Sequence, residues 1–280
     1  MSEAGTLSRR RLGMALCAAG FGVATPARGQ FSINLGKIAD IGRMLRNISI
    51  DEDDEIRMGE ELFGAIVSSA GGVYRNSAVQ NAVAQIAASI FELSERERFA
   101  WEIAVVDNNE VNAWALPGGK VGVNKGLLRY VASEDELAAV LAHECGHAEL
   151  SHAAREMKKK AFYSGLSGAA QTAAVAAIDD AKVSAGVSAV GAPLHSLVTS
   201  GYSRESEREA DLHIIKVFGA TGRNVHAGLG IFRTMLELVP RKSKRTTSLF
   251  SGHPQTIKRL EALREAAPAD TGEAMPPSAA

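Results

Sequence analysis

Apolar positions recur at helical spacing over much of the chain. After the acidic run at 51–55, Met58, Leu62 and Ile66 stand at i, i+4 and i+8, with Ile56 and Phe63 beside them. Gly71-Gly72 breaks that pattern. A second amphipathic run covers 77–91, with Val79, Val83, Ile86 and Ile90 on one face. Two β-rich runs follow, 101–106 and 111–116, joined by the turn-forming Asp107-Asn108-Asn109. Pro117-Gly118-Gly119 turns the chain again, and Val121-Gly122-Val123 reads as a third strand. Ser133 and Glu136 have the spacing of a capping box, with Glu134 and Asp135 in the first turn. The apolar face begun by Leu137, Val140 and Leu141 extends to about Met157 and ends in Lys158-Lys159-Lys160, so one helix is expected there. A further helix is predicted over 204–218, capped by Ser203 and ended by Gly219, and others over 225–239 and 254–266. The pattern predicts an α+β protein, predominantly helical, with a small sheet and no internal repeat.

The flanks behave differently. Ser8-Arg9-Arg10-Arg11-Leu12 precedes an uncharged stretch at 13–25 and then Pro26-Ala27-Arg28-Gly29. A basic region, a short apolar region and small residues predict a cleaved export signal over 1–29, with the paired arginines suiting twin-arginine export. Residues 30–50 read as a weakly amphipathic linker, with Ile38, Ile41, Leu45 and Ile48 among Lys37, Arg43 and Arg46. The stretches 161–178 and 183–203 lack Asp, Glu, Lys and Arg, so a membrane hairpin is one reading. Asp179, Asp180 and Lys182 interrupt it and many Ser and Gly dilute it, which favours a closely packed or mobile soluble segment. The Pro-rich tail 267–280 is expected to be disordered. The core domain is therefore expected over 51–266, in a protein exported to the periplasm or cell envelope.

Composition narrows the class. At 46% hydrophobic and 22% charged, the chain can build a globular core. A formal charge of −1 gives no footing for a nucleic-acid partner. Loss of 1–29 removes four arginines and one glutamate, leaving a mildly acidic protein with Cys145 as its one cysteine. An internal disulfide is then excluded, and stability must come from packing or a metal.

The chemistry lies in His143-Glu144-Cys145-Gly146-His147. On a helix, His143 and His147 share one face and can bind one zinc ion per chain. Glu144 sits beside that face, where it can take a proton from metal-activated water attacking a carbonyl. A catalytic zinc needs a third protein ligand and an open position. The position for a third histidine six residues on is Ala153, so that arrangement is excluded. Glu207 and Asp211 stand at i and i+4 on the next capped helix. One carboxylate can complete the metal site, and one a turn later can hold a ligand imidazole. His152 and His213 fall off the ligand faces, and His195 and His226 have no motif. Cys145 reads as a small buried residue, and Tyr202 or Arg204 can stabilise an oxyanion.

These residues, with Tyr202-Ser203-Arg204, the run Asn112 to Gly119, Gly126-Leu127-Leu128 and His253-Pro254, occur in a familiar order. Residues 51–266 resemble the gluzincin zinc peptidases of the HtpX and CAAX-protease kind, metallopeptidase family 48, in particular their small exported members. The resemblance implies a zincin-like fold with a sheet beside the active-site helix. It implies His143, His147 and Glu207 as zinc ligands, Glu144 as general base and acid, and Asp211 as the carboxylate behind a ligand. It places Asn112 and Ala113 on an edge strand that receives substrate. It implies cleavage of unfolded or misassembled envelope proteins, alone or beside envelope assembly machinery. A chaperone-like factor with a latent zinc site is the alternative. For His253 three readings stand open: a reversible fourth ligand, a transition-state donor, or a surface histidine.

Overall fold

The computed structural model describes residues 50–167, 201–238, 253 and 257–268. The expected export signal, nearly all of the 30–50 linker, residues 168–200 and the tail from 269 lie outside the described residues.

Asp51 opens the first helix, α1 (Glu52–Ser69), with a reciprocal cap: its carboxylate accepts the Asp54 N–H, and the Asp54 carboxylate accepts the Asp51 N–H. Met58, Leu62 and Ile66 are buried as their spacing requires, together with Phe63 and Val67. Helix α2 (Ser77–Phe91) is capped by the Asn76 side chain and buries Val83, Ala87 and Ile90.

Three strands follow: β1 (Glu102–Val106), β2 (Ala113–Leu116) and β3 (Lys120–Asn124). Their order is β1-β3-β2, with β3 parallel to β1 and antiparallel to β2. The strands flanking Asp107-Asn108-Asn109 are therefore not neighbours. The hairpin forms at the later turn, where Gly118 and Gly119 both take positive φ, 74° and 77°. Alternation then divides the sheet. Ile103, Val105, Ala113, Ala115, Val121 and Val123 join the larger core, while Ala104, Val106, Trp114 and Leu116 pack with α1.

Helix α3 (Glu134–Glu149) runs against the larger-core face. Ser133 Oγ accepts the Glu136 N–H, and the Glu136 carboxylate takes the Ala132 N–H rather than that of the cap itself. Every residue from Glu136 to Glu149 is buried, so α3 is the central helix. It does not continue to Met157 as its apolar pattern suggested. Ser151 adopts a left-handed conformation, φ 54°, and a new helix α4 (His152–Ser167) begins. The Ser151 hydroxyl donates to Glu55 at 2.7 Å and accepts from Arg96 at 3.1 Å, which holds the bend. Ala153, Ala154 and Met157 keep helical spacing beyond it, so periodicity carried no sign of the break.

Helix α5 (Arg204–Thr221) starts at Ser203 as expected and ends later than expected, at Gly222 with φ 70°. It crosses α3 at Gly146, where an added Cβ would lie 2.9 Å from His213 Cβ and 3.2 Å from Ala210 Cα. The run from 225 is two helices, α6 (Val225–Gly228) and α7 (Gly230–Leu238), and α8 (Ile257–Ala266) closes the described chain. The molecule is predominantly helical with one small sheet beside the His-Glu-Cys-Gly-His helix, as the pattern and resemblance indicated.

Candidate metal centre

Helical geometry sets His143 and His147 one turn apart on α3, with their Nε2 atoms 3.1 Å apart. The close crossing at Gly146 brings the first turn of α5 over them. Glu207 then places Oε2 3.6 Å from His143 Nε2 and Oε1 3.5 Å from His147 Nε2. His253 enters from the segment before α8. Its Nδ1 lies 3.2 Å from His143 Nε2 and 2.9 Å from Glu207 Oε1. The four side chains are buried, and their ligand atoms all lie within 4.8 Å of one another.

The donor set fits zinc. Tetrahedral bonds of 2.0–2.1 Å place ligand atoms about 3.3–3.4 Å apart. The separations just given run from 2.9 to 3.6 Å. Three imidazoles and a carboxylate are ligands this ion accepts. Glu144 adds a second sign. It is fully buried, yet neither carboxylate oxygen has a hydrogen-bond partner among the described residues. Burial without a partner is costly unless something bound in the site supplies one. Glu144 Oε1 lies 3.4 Å from His253 Nε2, on the side facing the cluster.

A layer of charged groups stands behind the cluster. Asp211 Oδ1 is 3.1 Å from His143 Nδ1. Arg259 on α8 grips Asp211 through two bonds, Nε to Oδ2 at 2.8 Å and Nη2 to Oδ1 at 2.6 Å, and reaches Glu207 Oε2 at 2.5 Å. Sequence reasoning missed Arg259, which sits in an ordinary charged helix and carries no motif. His152 is not in that four-residue group. The bend at Ser151 nevertheless returns it to the site, with Nδ1 2.7 Å from His147 Nδ1. Its other nitrogen lies 2.9 Å from Glu209 Oε2, and Arg155 donates to the same oxygen at 2.7 Å.

Of the two oxyanion candidates, Tyr202 is beside the cluster, its ring stacked on His147 at 4.0 Å and 17°, while Arg204 is exposed. His213 bonds the Ala142 carbonyl through Nδ1, and His226 reaches the Pro268 carbonyl, so both are engaged elsewhere. His195 lies outside the described residues. Cys145 is buried, and burial with the nearby Glu144 pushes its thiol up. Asn112 is buried just before the edge strand β2; its carbonyl accepts the Asn124 N–H, and its Oδ1 has no partner among the described residues. Ala113 opens β2 and is buried.

The electrostatics favour a cation at the cluster. Burial raises the Glu207 carboxyl, but His253 and His143 outweigh it and hold the group far below the usual carboxylate range. Burial raises the Asp211 carboxyl too, but Arg259 and His143 outweigh it and the group ends low. For His143, burial lowers the value, yet the bonds to Asp211 and Glu207 carry it up to about 9. His147 is pushed well down by burial and by its neighbours His253 and His143. Burial takes His152 down to about 4, with the Arg155 cation adding to it. Tyr202 is raised by burial and by the Glu144 and Glu207 carboxylates, so its phenol keeps its proton.

A helix bearing two histidines one turn apart, crossed by a helix that supplies a glutamate, beside a three-stranded sheet, defines a zincin-like domain of the gluzincin class. The chain belongs to peptidase family M48, whose sequence profile matches residues 74–267. It is 32% identical over 163 residues to "Metalloprotease YcaL" of Escherichia coli (strain K12), covering 56% of this chain and 58% of that one. It is 28% identical over 231 residues to "Mitochondrial metalloendopeptidase OMA1" of Schizosaccharomyces pombe, covering 80% and 63%. It is 28% identical over 165 residues to "Beta-barrel assembly-enhancing protease" of Escherichia coli (strain K12), covering 58% and 34%. The matches therefore span between about a third and under two thirds of these relatives' lengths.

Proposed function

We propose that the chain is a zinc-dependent endopeptidase holding one zinc ion through His143, His147 and Glu207. The observation that carries this reading is the convergence of those ligand atoms beside a buried, unpartnered Glu144. Family membership and relatives named as metalloprotease and metalloendopeptidase support it. When bound, zinc supplies Lewis-acid polarisation of the scissile carbonyl and lowers the pKa of water. Glu144 takes the proton of the attacking water and delivers it to the leaving amine nitrogen. Asp211, clamped by Arg259, stands 3.1 Å from His143 Nδ1, where its charge favours the Nδ1–H tautomer that leaves Nε2 as the electron-pair donor. Tyr202 packs His147 in place and offers a phenol proton near the reacting oxygen. An extended substrate adds to the open edge of β2 near Asn112 and Ala113 through backbone hydrogen bonds.

Substrates are unfolded or misassembled proteins of the bacterial cell envelope, in the periplasm and in peripheral association with assembly machinery. The export-type amino terminus and the relative named for β-barrel assembly support this. No helix among the described residues is long and apolar enough to cross a membrane.

His253 acts as a reversible fourth ligand that suppresses activity, a role its buried Nδ1 supports over that of a surface histidine. The same position favours a second reading, an assembly factor whose zinc site stays latent. Zinc analysis with casein hydrolysis by wild type, Glu144→Gln and His253→Ala tests both. Cleavage that rises in His253→Ala supports the switch, and a large kcat loss there supports a donor role. No change in that variant removes both. Zinc bound without cleavage in either wild type or His253→Ala leaves the latent reading. Absence of zinc sinks the site. Trapping with Glu144→Gln identifies native substrates.

A further inference from the structure

His152 lies outside the four-residue cluster, and nothing in the proposed chemistry uses it or Glu209. Yet the first residue of α4 is fully buried, with one ring nitrogen 2.7 Å from His147 Nδ1 and the other 2.9 Å from Glu209 Oε2. We propose that Glu209 and His152 form an orienting relay that fixes the tautomer and ring plane of His147, so that its Nε2 lone pair faces the metal. This rests on the reading of His147 as a metal ligand.

The argument is a count of protons. A carboxylate only accepts, so the bond to Glu209 places the His152 proton on Nε2. Neutral imidazole has one N–H, which leaves His152 Nδ1 as an acceptor. Only one proton can lie between two ring nitrogens 2.7 Å apart, so it must belong to His147 Nδ1. His147 Nε2 is then bare, and it is the atom that faces His143 and Glu207. Arg155 anchors the outer end by donating to the same Glu209 oxygen at 2.7 Å. Stacking of Tyr202 on the ring, at 4.0 Å, removes the remaining freedom to rotate. The arrangement parallels Asp211 behind His143, except that a histidine is inserted between ligand and carboxylate. That insertion depends on the left-handed Ser151, which turns α4 back toward α3.

His152 is therefore a positioning residue, and its test needs a readout that mere folding would not move. Long-range proton–nitrogen spectra of zinc-free protein labelled with nitrogen-15 histidine report the His147 tautomer directly. The Nδ1–H form is expected in wild type and its loss in His152→Leu. Zinc affinity, measured by competition with a chelating dye, should fall about 10–100-fold in His152→Leu. His152→Asn, which keeps a side-chain acceptor, should recover most of that loss. An Nε2–H tautomer in wild type, or unchanged affinity in His152→Leu, overturns the proposal. If circular dichroism shows that His152→Leu does not fold, Glu209→Ala takes its place, and unchanged affinity there overturns it equally. If wild type binds no zinc, the metal reading fails, while the tautomer still decides the relay.

Discussion

Glu144 is the one buried carboxylate at the cluster with neither oxygen hydrogen-bonded among the described residues, so the proposed chemistry turns on it. Glu144→Gln should lower kcat on casein by roughly 10²–10⁴-fold, the usual worth of general acid–base catalysis. Zinc content by elemental analysis should stay at the wild-type level, since Glu144 is not a ligand. Away from the site, Glu55 accepts from Ser151 and Arg96 through one oxygen, while Oε2 has no partner among the described residues. Burial outweighs those bonds and raises its carboxyl above the ordinary 4.5. A carboxyl that binds its proton more tightly when folded adds stability that is full below the unfolded value. That stability is lost as pH rises through the folded one. The melting temperature of wild type should therefore drop relative to Glu55→Gln as pH climbs from about 4 to 7. A difference that stays constant would count against the raised value. At this scale the sequence was most legible where chemistry demands fixed spacing. His143, Glu144 and His147, then Glu207 and Asp211, are expected from type and interval, and the fold brings them together. Arg259 and His152 did not, because a group that orients another needs only proximity, and proximity leaves no mark along the chain.

Between elements, the close approach of α3 and α5 positions Glu207. Gly146 permits it, since any Cβ there would press on His213 and Ala210. Gly146→Ala should destabilise the zinc-free protein by about 1–3 kcal/mol, the range for overpacking a filled contact. Urea unfolding would measure it. On the proposed zinc site the same variant should bind zinc more weakly, because pushing the helices apart moves the Glu207 carboxylate relative to two imidazoles. Elements are legible where a cap or period marks them: Ser133 and Ser203 each begin a helix as expected. Errors fell at ends and joints. The bend at Ser151 is stabilised by Glu55 and Arg96, residues far away in sequence, and helical spacing simply resumes after it. The strand order β1-β3-β2 also escaped, since strand propensity says nothing about which edges pair.

For the molecule as a whole, the cluster joins α3, α5 and the segment before α8. Zinc at about 100 times its dissociation constant should add about 2.7 kcal/mol to folding stability. Thermal melts with zinc and with excess chelator should differ accordingly, and Glu207→Ala should erase most of the difference. If chelation leaves the melting temperature of wild type unchanged, zinc is not the cross-link. With Cys145 buried and free, no disulfide among the described residues substitutes for it.

The sequence by itself determined which candidate donors share a face, because a helix repeats every 3.6 residues and so converts an interval of four into a shared face. It also determined the balance of helix over strand and, through those motifs, the family. Only the tertiary structure decided which helix faces meet, that His253 arrives at the spacing of a fourth ligand, and that Arg259 and His152 stand behind the others. The meeting of α3 with α5 depends on one close crossing at Gly146, and the return of His152 on one left-handed residue at Ser151. Each is a local backbone event stabilised by distant partners, and neither has a period that a chain read in one dimension can display.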